Sequence, residues 1–259
     1  MKVVILAGGF GTRISEESYL RPKPMIEIGE MPILWHIMKG YSEYGYDEFI
    51  ICSGYKQRII KEWFANYFLY ISDITFDFKQ ENSMIVHEKH SEKWKVTIID
   101  TGFKTMTGGR VKRIQKYIGD EPFHLTYGDA VSNVDIDALT KYHFSHGKIA
   151  TLTSISLTQQ KGILDIDEND SVVAFREKED RDSAVINGGF MVFNPEIFNY
   201  LEDDSTVLEQ KPMRALASEG QLKSYFHKGF WQCMDTKREK DRLENMWASG
   251  NAPWKTWND

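Results

Sequence analysis

Cysteine is scarce in this chain. Only Cys52 and Cys233 occur among 259 residues, too few for a disulfide framework, so the sequence reads as that of a reduced, cytoplasmic protein. Long apolar runs are missing too. No stretch approaches the roughly 20 uninterrupted apolar residues of a membrane span, and residues 1–6 run straight into Gly8-Gly9 without a signal-peptide pattern. Nor is there an excess of positive charge: 32 Lys and Arg against 38 Asp and Glu give a net charge of -6. Such a balance offers no general attraction for nucleic acid or an anionic membrane, so an anionic ligand has to be captured by a local site. Repeats, Pro/Gly/Ser-rich linkers and low-complexity segments are likewise absent, which excludes collagen-like, coiled-coil and disordered classes.

What is present suffices for one sizeable core, with 41% hydrophobic residues. Over residues 1–155, short apolar runs rich in β-branched and aromatic residues alternate with amphipathic stretches of helical length. This alternation predicts an α/β fold with a mixed, mainly parallel, Rossmann-like sheet flanked by helices. Strands are expected at 2–7, 48–53, 96–99, 123–127 and 150–155, and helices at 32–44, 57–68, 107–118 and 135–146, the last capped by Asp135 and stopped by Gly147. From about residue 161 shorter strands are expected, at 163–166, 171–177, 184–193 and 222–226, with helices after Pro195, Thr206 and Thr236. The reading is a single domain over 1–259, in which residues 156–259 add a small β region and the C-terminal segment to the α/β part over 1–155.

The first strand ends in Leu6-Ala7-Gly8-Gly9-Phe10-Gly11-Thr12-Arg13. Glycines there let successive N–H groups converge on a phosphate. The spacing matches neither the G-x-G-x-x-G of dinucleotide binders nor a P-loop, and taken alone it also fits an ordinary glycine-rich turn. Ten residues after Arg13, Pro22-Lys23-Pro24 sets a cation on a stiff extended segment, where a lysine on its own would read as a solvated turn residue. Coupled to a glycine loop ending in arginine, two fixed cations near converging N–H groups are what a polyphosphate requires.

Together these segments resemble the signature of the sugar-nucleotide pyrophosphorylases, a nucleotidyltransferase family. Asp100-Thr101-Gly102 with Met106-Thr107-Gly108-Gly109-Arg110, Tyr127-Gly128-Asp129, Ile186-Asn187-Gly188-Gly189-Phe190, Phe230-Trp231-Gln232 with Met234-Asp235-Thr236, and Ala252-Pro253-Trp254-Lys255-Thr256-Trp257 look like its glucose-1-phosphate cytidylyltransferase branch, over nearly the whole chain. The resemblance implies the nucleotide-diphospho-sugar transferase fold and attack by a sugar-1-phosphate oxygen on the α-phosphorus of CTP. It also implies roles for particular residues. Arg13 and Lys23 are the catalytic cations, while Leu6, Ala7, Gly8, Gly9, Gly11, Thr12, Thr105 and Arg110 bind the nucleotide. Glu177, Lys178, Asn187, Gly188 and Gly189 form the sugar-phosphate side, for which a strand-end ion pair and a β-bulge are the structural alternatives.

Such a reaction needs no general base, because a phosphate monoester with a second pKa near ~6 is already anionic. None of the seven histidines belongs to a catalytic or metal-spaced cluster. The remaining phosphate charge calls for a divalent cation on hard ligands, read here as Mg²⁺ held by Asp129 and Asp235 at strand ends, although each could instead cap a turn or helix. The chain departs from the family at Glu179, where proline is usual, at Lys161 before Gly162, and at Ala130. These changes lie on the acceptor side. Four of the seven tryptophans, Trp231, Trp247, Trp254 and Trp257, fall in the last 29 residues, which suits either a subunit contact in a homo-oligomer or the pinning of the last helix. The expected partners are CTP and a sugar-1-phosphate, with neither nucleic acid nor membrane. A different phosphorylated acceptor, or a catalytically weak sugar-nucleotide-binding regulator, are the other readings.

Overall fold

The computed structural model describes residues 1–11, 14, 19–79, 83–87, 92–157, 163–166, 172–176 and 184–258. Eight strands build the central sheet: β1 Val3–Ala7, β2 Glu48–Ser53, β3 Lys95–Asp100, β4 Phe123–Tyr127, β5 Ala150–Leu157, β6 Ala184–Asn187, β7 Met191–Phe193 and β8 Leu222–His227. Their order is β8-β5-(β6, β7)-β4-β1-β2-β3. β1 pairs in parallel with both β2 and β4, and β2 with β3, while β6 and β7 run antiparallel to their neighbours. The sheet is therefore mixed and mainly parallel, as the alternating pattern predicts. All five β1 residues are buried, because helices cover both faces of a central parallel strand.

The helices are α1 Ile33–Ser42, α2 Gln57–Tyr70, α3 Thr107–Arg113, α4 Gln115–Ile118, α5 Ile136–His146, α6 Lys211–Ser218 and α7 Lys237–Ala248. Asp135 caps α5 by accepting from the Ala138 N–H at 2.8 Å, and Gly147 ends it in the left-handed conformation. Three expectations are corrected. The helix expected at 107–118 divides at Ile114. The strand expected at 184–193 divides into β6 and β7, because Gly189 and Phe190 both take positive φ. The helix placed after Thr206 starts only at Lys211, because Thr206 closes a turn with Asp203 that packs on α3. The pairing of Ala130–Ser132 with Trp231–Cys233, antiparallel and off the main sheet, left no clear pattern in the sequence.

One apolar cluster runs from Val3 to Trp257 on one face of the sheet, so residues before and after 155 share a core. The late tryptophans explain how. Trp254 and Trp257 are 1% and 6% exposed and pack around His36 of α1, and Trp254 donates from Nε1 to His36 Nδ1 at 3.4 Å. Of the two readings of the tryptophan-rich tail, these two rings follow the pinning one. Burial pushes the His36 imidazole down to about 4 and that of His124 to about 3, so both are neutral in the fold. The unfolded chain binds those protons near pH ~6.5, so the folded state binds fewer. Stability is therefore expected to fall as pH drops below about 6.5, read as a declining urea midpoint between pH 7 and 5. A flat profile would contradict this neutral burial.

Candidate active site

The carboxyl ends of β1 and β4 open onto a cleft of about 410 Å³, the edge at which open parallel sheets place their ligands. Its floor is the Leu6–Gly11 segment, one wall carries Phe103 to Thr107, and Lys23, Asp129 and Asp235 stand together at its margin.

Lys23 opens a short turn of 3₁₀ helix, Lys23–Met25, after Pro22 in extended geometry. It is 8% exposed, and its Nζ donates to Asp129 Oδ2 at 2.6 Å and to Asp235 Oδ1. Burial alone would lower the pKa of this ammonium, but the two carboxylates outweigh it and raise it. Asp129 follows β4 through Gly128, and Asp235 follows the Trp231–Cys233 strand. Pairing of Cys233 with Ala130, and the Met234 N–H to Asp129 carbonyl bond at 2.8 Å, carry the two aspartates to one place although more than a hundred positions separate them. The capping alternative for Asp235 fails. Thr236 is the N-cap of α7, and its side chain and Glu239 form a capping box, which leaves the Asp235 carboxylate for Lys23.

Both carboxylates reach one ammonium, so their oxygens converge on a single point. Two hard carboxylates with phosphates and water to complete the shell suit Mg²⁺, and no group of three or more His, Cys, Asp and Glu among the described residues offers a cage. The residues fit the ion. Burial, with the carboxylates of Glu239, Asp235 and Asp129, pushes the neighbouring Cys233 thiol up to about 12, so it stands by as a neutral side chain.

Arg110 takes a role that spacing did not suggest. Its guanidinium is buried beneath the glycine loop, donating to the Gly8 carbonyl at 2.9 Å, the Ser53 carbonyl at 3.2 Å, the Gly102 carbonyl at 2.8 Å and Thr101 Oγ1 at 2.7 Å. It ties the ends of β1, β2 and β3 together under the cleft. A Cβ at residue 8 would lie 2.2 Å from this guanidinium, which is why Gly8 is glycine. At the first turn of α3 the Gly109 N–H bonds the Thr206 carbonyl at 3.1 Å, and Gly108 and Gly109 let residues 203–208 pack against the helix. In the same patch, Lys112 donates to the Phe198 carbonyl at 2.9 Å and Arg113 pairs with Asp204.

On the other side, Tyr127 lines the cleft and donates to Glu209 Oε1 at 2.6 Å, while Glu209 Oε2 accepts from Thr107 Oγ1 at 2.6 Å. Burial, reinforced by Glu209, raises the Tyr127 phenol and keeps it a donor. Gly188 and Gly189 form the break between β6 and β7 beside Tyr127, with the Gly188 carbonyl held by Trp231 Nε1 at 2.7 Å and the Gly189 N–H by Asn187 Oδ1 at 3.0 Å. Thus Leu6, Ala7, Gly8, Gly9, Gly11, Lys23, Thr105, Arg110, Asp129 and Asp235 line one cleft. Thr12, Arg13, Glu177 and Lys178, together with Glu179 and Lys161-Gly162, lie outside the described residues. Sequence reasoning missed Glu209 and Glu239. Only the second had a signal, the Thr-x-x-Glu pattern of a capping box at Thr236.

Comparison with known proteins places this cleft in context. The nucleotidyl transferase family matches residues 2–259. The chain is 54% identical to the glucose-1-phosphate cytidylyltransferase of Salmonella typhi over 258 residues, which cover 99% of this chain and all of that protein. It is 43% identical to a probable glucose-1-phosphate cytidylyltransferase of Bacillus subtilis strain 168, with the same coverage. Among solved structures, HddC from Yersinia pseudotuberculosis superposes with a TM-score of 0.68 at 23% identity, covering 95% of this chain and 99% of that one. A mainly parallel sheet, a glycine loop at its central strand and a match along almost the whole length lead to one assignment: the chain belongs to the nucleotidyl transferase family.

Proposed function

We propose that this protein transfers CMP from CTP to α-D-glucose-1-phosphate, releasing pyrophosphate and CDP-glucose. The observation that carries this reading is the 54% identity to a glucose-1-phosphate cytidylyltransferase over essentially both full lengths. In the reaction an oxygen of the sugar phosphate forms a bond to the α-phosphorus of CTP as the bond from that phosphorus to the bridging oxygen breaks, and pyrophosphate departs with the electron pair. No protein group has to take a proton, which suits a cleft lined by no histidine among the described residues.

The residues then do the work of positioning and charge stabilisation. The Leu6–Gly11 backbone cradles the nucleotide, with Thr105 beside it and Arg110 holding that loop in shape. Lys23 reaches across the reacting phosphates, and Arg13 meets the leaving pyrophosphate. Asp129 and Asp235 hold Mg²⁺, which when bound neutralises phosphate charge. Asn187, Gly188 and Gly189, with Glu177 and Lys178, receive the sugar phosphate, so that residues 1–155 serve the nucleotide and residues 156–259 the acceptor. A cytoplasmic setting and an assembly of identical chains belong to the same reading.

The test is a matrix of CTP, dTTP, UTP and ATP against several sugar-1-phosphates, scored by pyrophosphate release. CTP with glucose-1-phosphate is expected to be fastest. A rate with dTTP equal to or above that with CTP, on the same acceptor, would overturn the assignment.

A further inference from the structure

Glu239 is the third residue of α7, and its Oε2 accepts three hydrogen bonds: from the Thr236 N–H at 2.8 Å, from Thr236 Oγ1 at 3.1 Å and from the Asp235 N–H at 2.7 Å. A capping box requires only the bond to the N-cap N–H, here that of Thr236. The shortest of the three goes to the residue before the cap, whose N–H is no part of the helix. That residue carries the carboxylate bonded to Lys23.

We propose that Glu239 is a positioning residue for Asp235, fixing the main chain from which its carboxylate meets Asp129. This inference rests on the reading that the two aspartates share a divalent cation. Upstream, Asp235 is held by the pairing of Cys233 with Ala130 and by the Met234 N–H on the Asp129 carbonyl. Downstream, Glu239 takes its N–H at 2.7 Å, and the next residue, Thr236, joins α7 through the Lys240 N–H to Thr236 carbonyl bond at 3.0 Å. Asp235 has only one methylene between main chain and carboxyl, so a rotation of its peptide passes almost undiminished to the oxygens. Ligand pairs tolerate little such error, and loss of a supporting partner behind a metal ligand typically weakens metal affinity about 10- to 100-fold.

The experiment compares four variants with the parent protein: Glu239→Ala, Glu239→Asp, Thr236→Ala and Asp235→Asn. Mn²⁺ binding to the protein is followed by the EPR signal of the free ion, Mg²⁺ half-saturation by pyrophosphate release, and folding by thermal unfolding. Glu239→Asp keeps a charge suited to the first helical turn but is one methylene too short for the Asp235 N–H. It is expected to fold and to weaken Mn²⁺ binding roughly 10-fold or more, with Glu239→Ala weaker still. Thr236→Ala removes the cap hydroxyl but leaves Glu239 on Asp235, so its melting temperature falls while the metal constants hold.

If both Glu239 variants lose only melting temperature, with metal constants like those of Thr236→Ala, Glu239 is a helix cap and the proposal is wrong. Should Glu239→Ala fail to fold, Glu239→Asp still decides. Asp235→Asn separates the two levels. If it abolishes Mn²⁺ binding while Glu239→Asp does not weaken it, the positioning role fails and the shared-metal reading stands. Binding that Asp235→Asn leaves intact removes both.

Discussion

Lys23→Ala is expected to lower turnover roughly 30- to 1000-fold, with a much smaller rise in the Michaelis constant for CTP. That loss corresponds to about 2–4 kcal/mol for a charge-assisted contact used mainly in the transition state. Two features make this ammonium unusually well placed. Pro22 and Pro24 restrict its backbone, and the paired carboxylates of Asp129 and Asp235 hold its tip at the margin of the cleft. The substitution also leaves two half-buried carboxylates side by side without their counter-charge, so a lower urea midpoint is expected as well. Steady-state kinetics with CTP and glucose-1-phosphate, alongside a urea unfolding curve, measure both effects. A turnover near that of the parent with only a raised Michaelis constant would make Lys23 a ground-state binder.

If Asp129 and Asp235 share a cation as proposed, Asp129→Asn and Asp235→Asn are each expected to remove most activity, on the order of 100-fold or more, because such an ion supplies several kcal/mol of charge stabilisation. Excess Mg²⁺ should restore part of it, since an amide oxygen still coordinates but brings no full charge. The losses should not add, as either change disables the same ion. The helix cap belongs to Thr236, so a loss of activity in Asp235→Asn cannot be put down to a frayed α7. The measurement is a Mg²⁺ titration of the two single variants and the double variant. Full activity in Asp235→Asn, or a parent protein indifferent to EDTA, would remove the shared cation.

The legible features of the fold were those written in local pattern. β1, β2, β4 and β5 follow from runs of β-branched and aromatic residues, and α5 from Asp135 at one end and Gly147 at the other. Lys23, Asp129 and Asp235 were singled out by prolines and strand ends only together with the family resemblance, since each alone reads equally as a turn or capping residue; the structure brings the three together. The destination of Arg110 was not. Its four acceptors come from Gly8, Ser53, Thr101 and Gly102 at three strand ends, and no periodicity within its own helix points to them. Nor did the sequence show that Gly108 and Gly109 serve the close approach of residues 203–208, which lie about a hundred positions away. Glu239 could be read as a cap, but its bond to Asp235 depends on how the chain enters α7.

The seating of Trp254 against His36 also sets a schedule for biosynthesis. The two residues are 218 positions apart. At roughly 5–20 residues per second, the ribosome needs about 10–40 s to make the second after the first. By the end of that interval every strand of the parallel half has been made, while the face of α1 that receives the tryptophans still lacks its cover. The nascent chain therefore holds all the strands of its parallel half before it holds the rings that seat against His36. The contact that closes this aromatic socket can form only after nearly the whole chain has been synthesised.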